Sequence, residues 1–547
     1  MNKRRIRDLA VVLFFIISIN SLMQSSYVRL DLTKDGRYTL SEATNSILDK
    51  VKGQLIIRVY LEGEFPSEFQ RLQIETRQYL EELKAGNSNI KIRFVNPEGR
   101  EDQLVRSGMY PSQLTVEENG KLSNAIIFPW AEVIYGKKRE LVSLLPDGIV
   151  QSQEEQLEAS IESLEYSFSN AINNVTQRRK QKIAILKGNG ELEDIYLVSL
   201  LSEVRKKYIL APFTLDSVVD APQQALFNLS QYDMAVIAKP TEAFTEKEKY
   251  VLDHFIMNGG KTLWMVENVQ ADTDSLYNDG RMLAYPRDLN LTDQLFSYGV
   301  RINTQLVQDL YAAKIRLVTG NSGDQPQFQN LPWFYHPQIT GNPQHPITKN
   351  IGPVRLRFAN QIDTLQNGIK KTPLLVSSPL TRRIGTPSFI ELQSIADEPK
   401  QEQYQSGYQL FGVLLEGEFK SMYANRIKPF DYDDGKDKSV PNKMIVISDG
   451  DVIKNQLAKN QPYDLDIDKW TGEQFGNKEF LLNSIDYLLD DTGLIDLRNK
   501  TLQINLLDKQ RAFEERGYWQ FLNVVLPLLL LFGFGFGFNY LRKRKYR

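Results

Sequence analysis

Residues 233–266 read DMAVIAKPTEAFTEKEKYVLDHFIMNGGKTLWMV, a strand, a helix and a second strand in succession. Asp233–Ala238 and Lys261–Val266 are short apolar runs of the length a buried strand needs. Between them, Thr245 with Glu248 three residues later spells a capping box, and Asn258-Gly259-Gly260 spells a stop, so a helix is predicted over Thr245–Met257. Strands without polar alternation, joined through a helix, belong to a mostly parallel sheet covered on both faces.

Working outward, KIAIL (Lys182–Leu186) supplies an earlier strand, followed by a helix carrying Tyr196, Leu197, Leu200, Leu201 and Val204. Pro373–Ser377 and Lys443–Ser448 read as later strands, and a last helix near Asn477–Leu489 buries Phe480, Leu481, Ile485 and Leu488. The interval at about 310–440, rich in Pro, Gly, Gln and Asn, reads as loops with a small β-rich insertion. Upstream, apolar residues at Leu157, Ile161, Leu164, Phe168, Ile172 and Val175 describe one long connecting helix that packs within the chain.

Further towards the N-terminus, QLIIRVYL (residues 54–61) is a strand, and a helix over 67–84 presents Phe69, Leu72, Thr76, Tyr79, Leu80 and Leu83 on one face, with Ser67 and Gln70 as its capping box. Ile90, Ile92 and Phe94 alternate with Lys91 and Arg93 in the next strand. This βαβ unit resembles the start of a thioredoxin-like fold. Gly63-Glu64-Phe65-Pro66 stands where a redox enzyme carries its cysteine pair, and the chain has no cysteine, which excludes thiol chemistry, disulfides and cysteine-ligated zinc.

The two ends are apolar and flanked by basic residues. Leu9–Met23 follows Lys3, Arg4, Arg5 and Arg7, and is extended to Val28 to span a bilayer; it reads as an uncleaved anchor rather than a signal peptide, because no small-x-small cleavage site follows. Phe521–Tyr540 is an uncharged stretch of spanning length, preceded by Tyr518 and Trp519 and followed by Arg542, Lys543, Arg544, Lys545 and Arg547. Basic residues at both ends place both termini in the cytoplasm and the mass between them in the periplasm of a bacterial inner membrane. Gly533, Gly535 and Gly537 would let a neighbouring helix approach.

The formal charge of −2 hides this asymmetry. Without the nine basic residues of the two ends and without Asp8, 57 basic groups face 67 acidic ones, and nucleic acid is excluded as a partner. The expected domains are therefore an anchor (1–30), a thioredoxin-like α/β domain (31–150), a connecting helix (151–180), a larger α/β domain (181–500) and a juxtamembrane segment with the second spanning helix (501–547).

Candidate sites are few. Gly188, Asn189, Gly190 and Glu191 follow a strand and precede a helix, where α/β sheets bind ligands, but the third glycine of a dinucleotide fingerprint and the lysine of a P-loop are missing. Asp449 and Asp451 flank a glycine after the strand MIVIS and could bind a ligand or act as an acid–base pair. A turn is the simpler reading of both. His254, His336 and His345 match no metal or hydrolase motif, no Gly-x-Ser-x-Gly elbow is present, and no cofactor or metal is expected.

Four segments, VYLEGEFPSEFQRLQIETRQYLEEL (59–83), FTEKEKYVLDHFIMNGGKTLWMVEN (244–268), MIVISDGDVIKNQ (444–456) and FGNKEFLLNSIDYLLDDTGLIDLRNK (475–500), resemble the GldG family of gliding-motility proteins, the auxiliary or substrate-binding components of a Bacteroidetes-type ABC transporter. The resemblance implies a permease and a cytoplasmic ATPase as partners, a glutamine-amidotransferase-like central sheet without the catalytic cysteine, and no enzymatic activity. That family often has Gly-His-Gly-Glu where this chain has Gly188-Asn189-Gly190-Glu191, which removes a histidine from that turn. A membrane-tethered hydrolase using Asp449 and Asp451, and a structural periplasmic spacer, are the alternatives.

Overall fold

The computed structural model describes residues 39–63, 67–118, 121–145, 153–177, 179–322, 325–432, 435–499 and 509–545. Residues 39–499 belong to one compact unit and 509–545 to another. The expected N-terminal anchor and Glu64–Pro66 lie outside the described residues.

The first sheet forms where the sequence alternates. In β1 (Leu55–Val59), Leu55, Ile57 and Val59 point inward; β2 (Ile90–Phe94) buries only Ile90 fully, as suits an edge strand. Helix α1 (Ser67–Gly86) joins them and buries the face read from its sequence, Phe69 through Leu83. β3 (Trp130–Tyr135) and β4 (Lys138–Ser143) complete the order β2-β1-β3-β4, with β1 and β2 parallel and the other pairs antiparallel.

Helix α2 (Gln153–Thr176) buries Leu157, Ile161, Leu164, Phe168, Ile172 and Val175 against this sheet and α1. A polar row on the same helix is used as well: Glu165 Oε1 accepts the Ser41 N–H at 2.8 Å and the Thr44 hydroxyl at 2.9 Å. On the side of the larger sheet, Lys349 pairs with Glu162 at 3.6 Å. The helix is thus fastened on two sides rather than left bare between domains.

The larger sheet has seven strands: β5 (Lys182–Lys187), β6 (Ile209–Thr214), β7 (Met234–Ala238), β8 (Lys261–Met265), β12 (Lys370–Val376), β13 (Leu410–Gly417) and β14 (Asn442–Ile447), in the order β12-β13-β14-β8-β7-β5-β6. Strands β14 to β6 run parallel, and β13 and β12 extend them antiparallel. Helices α3 (Val198–Lys207), α4 (Pro222–Leu229), α5 (Glu246–Met257) and α6 (Asn477–Leu489) cover it, which is why every residue of β7 is buried. Helix α5 begins with the expected capping box, Thr245 accepting the Glu248 N–H while the Glu248 carboxylate accepts the Thr245 N–H. His254, on that helix, is a packing residue, edge-on to Tyr432.

The interval read as loops with a small insertion holds more strand than expected. β12, the strand expected at Pro373–Ser377, and β13, which was not expected, lie inside it and belong to the main sheet, and it also contains the long hairpin of β10 (Ala312–Ser322) and β11 (Gln325–Ile339), preceded by β9 (Val300–Asp309). Polar, proline-containing strands form here because this layer is open to water on one side and needs no continuous apolar run.

In the second unit, a helical segment spans Arg516–Lys545 and contains an 18-residue stretch with a mean hydropathy of 2.2, long and apolar enough to cross a membrane. It passes through a π turn at Phe521–Val525 before continuing as α7 (Leu526–Lys545). Pro527 follows that turn directly; its missing N–H removes one ordinary helix bond, and the wider turn absorbs the change.

Candidate functional site

The parallel register sets three strand ends level. Ala238 of β7 pairs with Met265 of β8, and Met265 with Ile447 of β14, so Lys239, Glu267 and the turn Asp449-Gly450-Asp451 emerge together at one edge of the sheet. This C-terminal edge is where α/β sheets present ligand-binding groups.

Lys239 leaves its strand in the left-handed region, with φ of 55°, and turns its ammonium onto the neighbouring strand ends. Its Nζ lies 2.6 Å from Asp451 Oδ1 and 3.3 Å from Glu267 Oε1. Gly450 makes the approach possible: a Cβ there would sit 2.6 Å from the Lys239 Cβ and 3.0 Å from its Cα. Arg287 adds a second cation 3.5 Å from Glu267, and the Gly450 N–H donates to Glu267 at 3.0 Å.

One carboxyl oxygen from each of Glu267, Asp449 and Asp451 lies within 4.8 Å of the other two, and all three residues are buried. This acidic group already contains a cation, because the Lys239 ammonium stands between two of its members. Burial, with Asp451 and Glu267 nearby, pushes the Asp449 carboxyl well above the usual range. Burial also acts on Asp451, but Lys239, then Lys454 and Arg357, outweigh it and hold that carboxyl below its ordinary value. Asp449 spends its oxygens on the N–H groups of Arg357 and Asp451, each at 2.7 Å. Of the two aspartates, only Asp451 faces open space.

That space is a cavity of about 850 Å³ between the sheet edge and the β10–β11 hairpin. Six cationic side chains line it, Lys314, Arg316, Arg355, Arg357, Lys454 and Lys469, against four aspartates. Arg355 is committed to Asp468 at 2.6 Å, and both are buried. Arg357 donates its backbone N–H to Asp449, while its guanidinium makes no ion pair or side-chain hydrogen bond among the described residues. His336 is 4% exposed and its Nε2 has no hydrogen-bond partner among the described residues. Burial, followed by the charges of Arg357 and Arg355, pushes the His336 pKa well below the usual histidine value, so the ring is neutral.

Gly188, Asn189, Gly190 and Glu191 follow β5, three strands away from the β14 end that carries Asp449 and Asp451, and the fold does not bring the two candidates together. The Asn189 carbonyl accepts the N–H groups of Thr241 and Glu242, each at 2.9 Å, and Thr241 Oγ1 donates to the Gly190 carbonyl at 2.9 Å. A Cβ on Gly190 would fall 2.1 Å from Thr241 Oγ1. These bonds lace the β5 turn to the segment after β7, across the crevice where such sheets often hold a ligand.

Arg355, Arg357 and Asp468 were not singled out from the sequence, and His336 stood out only as a histidine that matches no motif. Arg355-Leu356-Arg357 did carry a signal, since alternate residues of an extended segment share a face. Asp468 supplies a test of the pairing. Burial raises its carboxyl pKa, but Arg355 and the N–H groups of Thr471 and Trp470 outweigh burial and hold it at about 2. A depressed carboxyl stabilises the fold above its unfolded pKa of about 4, and that contribution fades as pH falls towards about 2. Asp468→Asn is expected to lower stability by a constant amount above about pH 5, the gap to the unaltered chain closing between about pH 4 and 2. Urea unfolding at stepped pH reads this, and a pH-independent gap would disprove it.

Residues 180–484 match the family described as an ABC-type uncharacterized transport system. The chain belongs to this family. Its members are auxiliary components of such systems, which gives the chain a transporter-associated role and implies association with an ABC transporter and hence with a membrane. Residues 34–134 match a separate domain of unknown function. An uncharacterized protein of Borreliella burgdorferi is 20% identical over 468 residues, covering 83% of this chain and 82% of the relative. Among solved structures, an IFT52 N-terminal domain is similar to 60% of this chain over its own full length, at 12% identity and a TM-score of 0.32, a likeness that carries no argument. In this member of the transport-system family, the cavity residues from Tyr196 to Trp470 all fall inside the matched segment.

Proposed function

We propose that the chain is the membrane-anchored, non-enzymatic auxiliary or substrate-binding subunit of an ABC transporter of the gliding-motility type, working with a permease and a cytoplasmic ATPase. The observation that carries this reading is the family match over 180–484 in a chain that also has an apolar helix ending in Arg542–Lys545. By the positive-inside rule, that basic end and the basic N-terminus support a topology with both termini in the cytoplasm and the body in the periplasm. The order β2-β1-β3-β4, parallel then antiparallel, supports a thioredoxin-like domain at 31–150, and the five parallel strands support an amidotransferase-like sheet at 181–500.

The paired-carboxylate hydrolase finds less support. Acid–base catalysis needs two groups reaching one substrate, whereas Asp449 is fully buried under backbone N–H groups and only Asp451 borders the cavity.

Affinity purification of the full chain from mild detergent is expected to bring down a permease and an ATPase, and replacing Phe521–Tyr540 with an unrelated apolar span is expected to release them. A chain that purifies alone overturns the reading. Deleting the gene from a gliding host is expected to stop surface movement, and unchanged movement would remove the motility part.

A further inference from the structure

We propose that the cavity beside the β10–β11 hairpin binds a small organic oxyanion: a phosphate or carboxylate held by Arg357 and Lys454, on a molecule whose flat apolar part lies against Trp470, Tyr277 and Phe328. This deepens the substrate-binding reading given above and rests on it for the biological meaning of the ligand, not for the binding itself.

Three independent observations point the same way. The volume of about 850 Å³ lies within the roughly 300–1,000 Å³ typical of small-molecule sites. The wall has a surplus of cations that internal partners do not use up. Arg355 is spent on Asp468, whereas the Arg357 guanidinium is left without an ion pair among the described residues. Its planar fork matches the geometry of a phosphate or carboxylate. Lys454 lies 4.0 Å from Asp451, too far for a close pair, which leaves its ammonium for a second contact.

The third observation is the aromatic part of the lining, formed by Trp470, Tyr277 and Phe328. Trp470 is 55% exposed with Lys469 4.8 Å from its ring, and Arg316 lies 4.8 Å from the Phe328 ring, so these ring faces border the same space as the cations. A bare inorganic ion would leave this apolar wall uncovered, and a neutral ring compound would leave Arg357 unanswered.

The test uses the purified full chain in detergent, with titration calorimetry and Trp470 fluorescence as readouts. The probes are phenyl phosphate, benzoate, inorganic phosphate and phenol, each up to about 10 mM, which reaches the weak millimolar range. At least one aromatic anion is expected to bind about tenfold or more tighter than either inorganic phosphate or phenol, and the better of the two identifies the acid group as phosphate or carboxylate. Arg357→Gln is expected to weaken that binding about tenfold, and Trp470→Ala, at the rim, about fivefold. Arg301→Gln, in an exposed pair away from the cavity, is expected to leave it unchanged.

Absence of saturable binding by both aromatic anions overturns the proposal. Equal binding of phenol removes the anion requirement, and equal binding of inorganic phosphate removes the apolar part; either also overturns it. If Arg357→Gln fails to fold, Trp470→Ala still decides, because unchanged affinity there places the probe elsewhere. Co-purification with the transporter without probe binding sinks this site alone. Probe binding by a chain that has no transporter partners keeps the site and sinks the subunit reading.

Discussion

Lys239→Met is expected to destabilise the body by about 3–5 kcal/mol, the usual cost of breaking a buried ion pair from one side. Methionine keeps the length and the apolar stem, so the change isolates the ammonium. What remains is the difficulty: Glu267 and Asp451 are 2% and 6% exposed, and their carboxylates would face each other without the charge that lies 3.3 Å and 2.6 Å from them. Arg287, 3.5 Å from Glu267, offsets only part of this, and none of it at Asp451. Urea unfolding of the detergent-solubilised chain measures the loss. Pairing Lys239→Met with Asp451→Asn removes the stranded charge, so the double variant is expected to recover a large share, a departure from additivity that neighbouring groups show. A cost below about 1 kcal/mol for Lys239→Met would mean that the acidic group is solvated and that Lys239 does not organise it.

The second large effect comes from a residue without a side chain. Gly476→Ala is expected to cost about 3 kcal/mol, at the upper end for overpacking, because the new Cβ would lie 2.4 Å from the Gly352 oxygen and 2.9 Å from its carbon and nitrogen. Side chains rotate away from such a clash, whereas two backbones held by other bonds do not. The Gly476 N–H donates to the Pro353 carbonyl at 2.9 Å, and its own carbonyl accepts the Phe480 N–H at the start of α6. Moving Gly476 therefore shifts a helix whose Phe480, Leu481, Ile485 and Leu488 are buried in the main core. Its φ of −102° suits any residue, so the whole effect is contact. Gly472→Ala is the control: φ there is +72° with nothing within 4 Å of a Cβ, and only the backbone term of about 1 kcal/mol is expected. Similar costs at the two positions would refute the contact argument.

Much of the fold was legible because it rests on local patterns. The runs at 182–186, 233–238, 261–266 and 443–448 contain no alternation to hide, the Thr245–Glu248 box states its own geometry, and the apolar rows of α1 and α2 keep helical spacing throughout. Strand β13 was not legible, although LFGVLLEG is apolar, because it stands among prolines and glutamines and its pairing with β14 is antiparallel within an otherwise parallel neighbourhood. The cavity was harder still. Tyr277, His336, Arg357, Lys454 and Trp470 come from separate stretches and meet only through tertiary contacts, so no spacing rule announces them. Asp449-Gly450-Asp451 drew attention as two carboxylates, but their different roles are set by Lys239 and Glu267, far upstream, and by the Arg357 N–H.

The neighbours β8 and β14 are consecutive in the sheet but end at Met265 and Ile447, with the whole β-rich layer between them in sequence. During synthesis, β8 therefore waits with one hydrogen-bonding edge bare until the ribosome has passed residue 447. Such an edge recruits other chains, and pairing across so long an interval is slow. In the topology proposed, that wait takes place beyond the membrane, so a nascent chain stalled before β14 is a target for envelope chaperones and proteases, and truncations ending short of residue 447 should accumulate as aggregates or fragments rather than as a smaller working body.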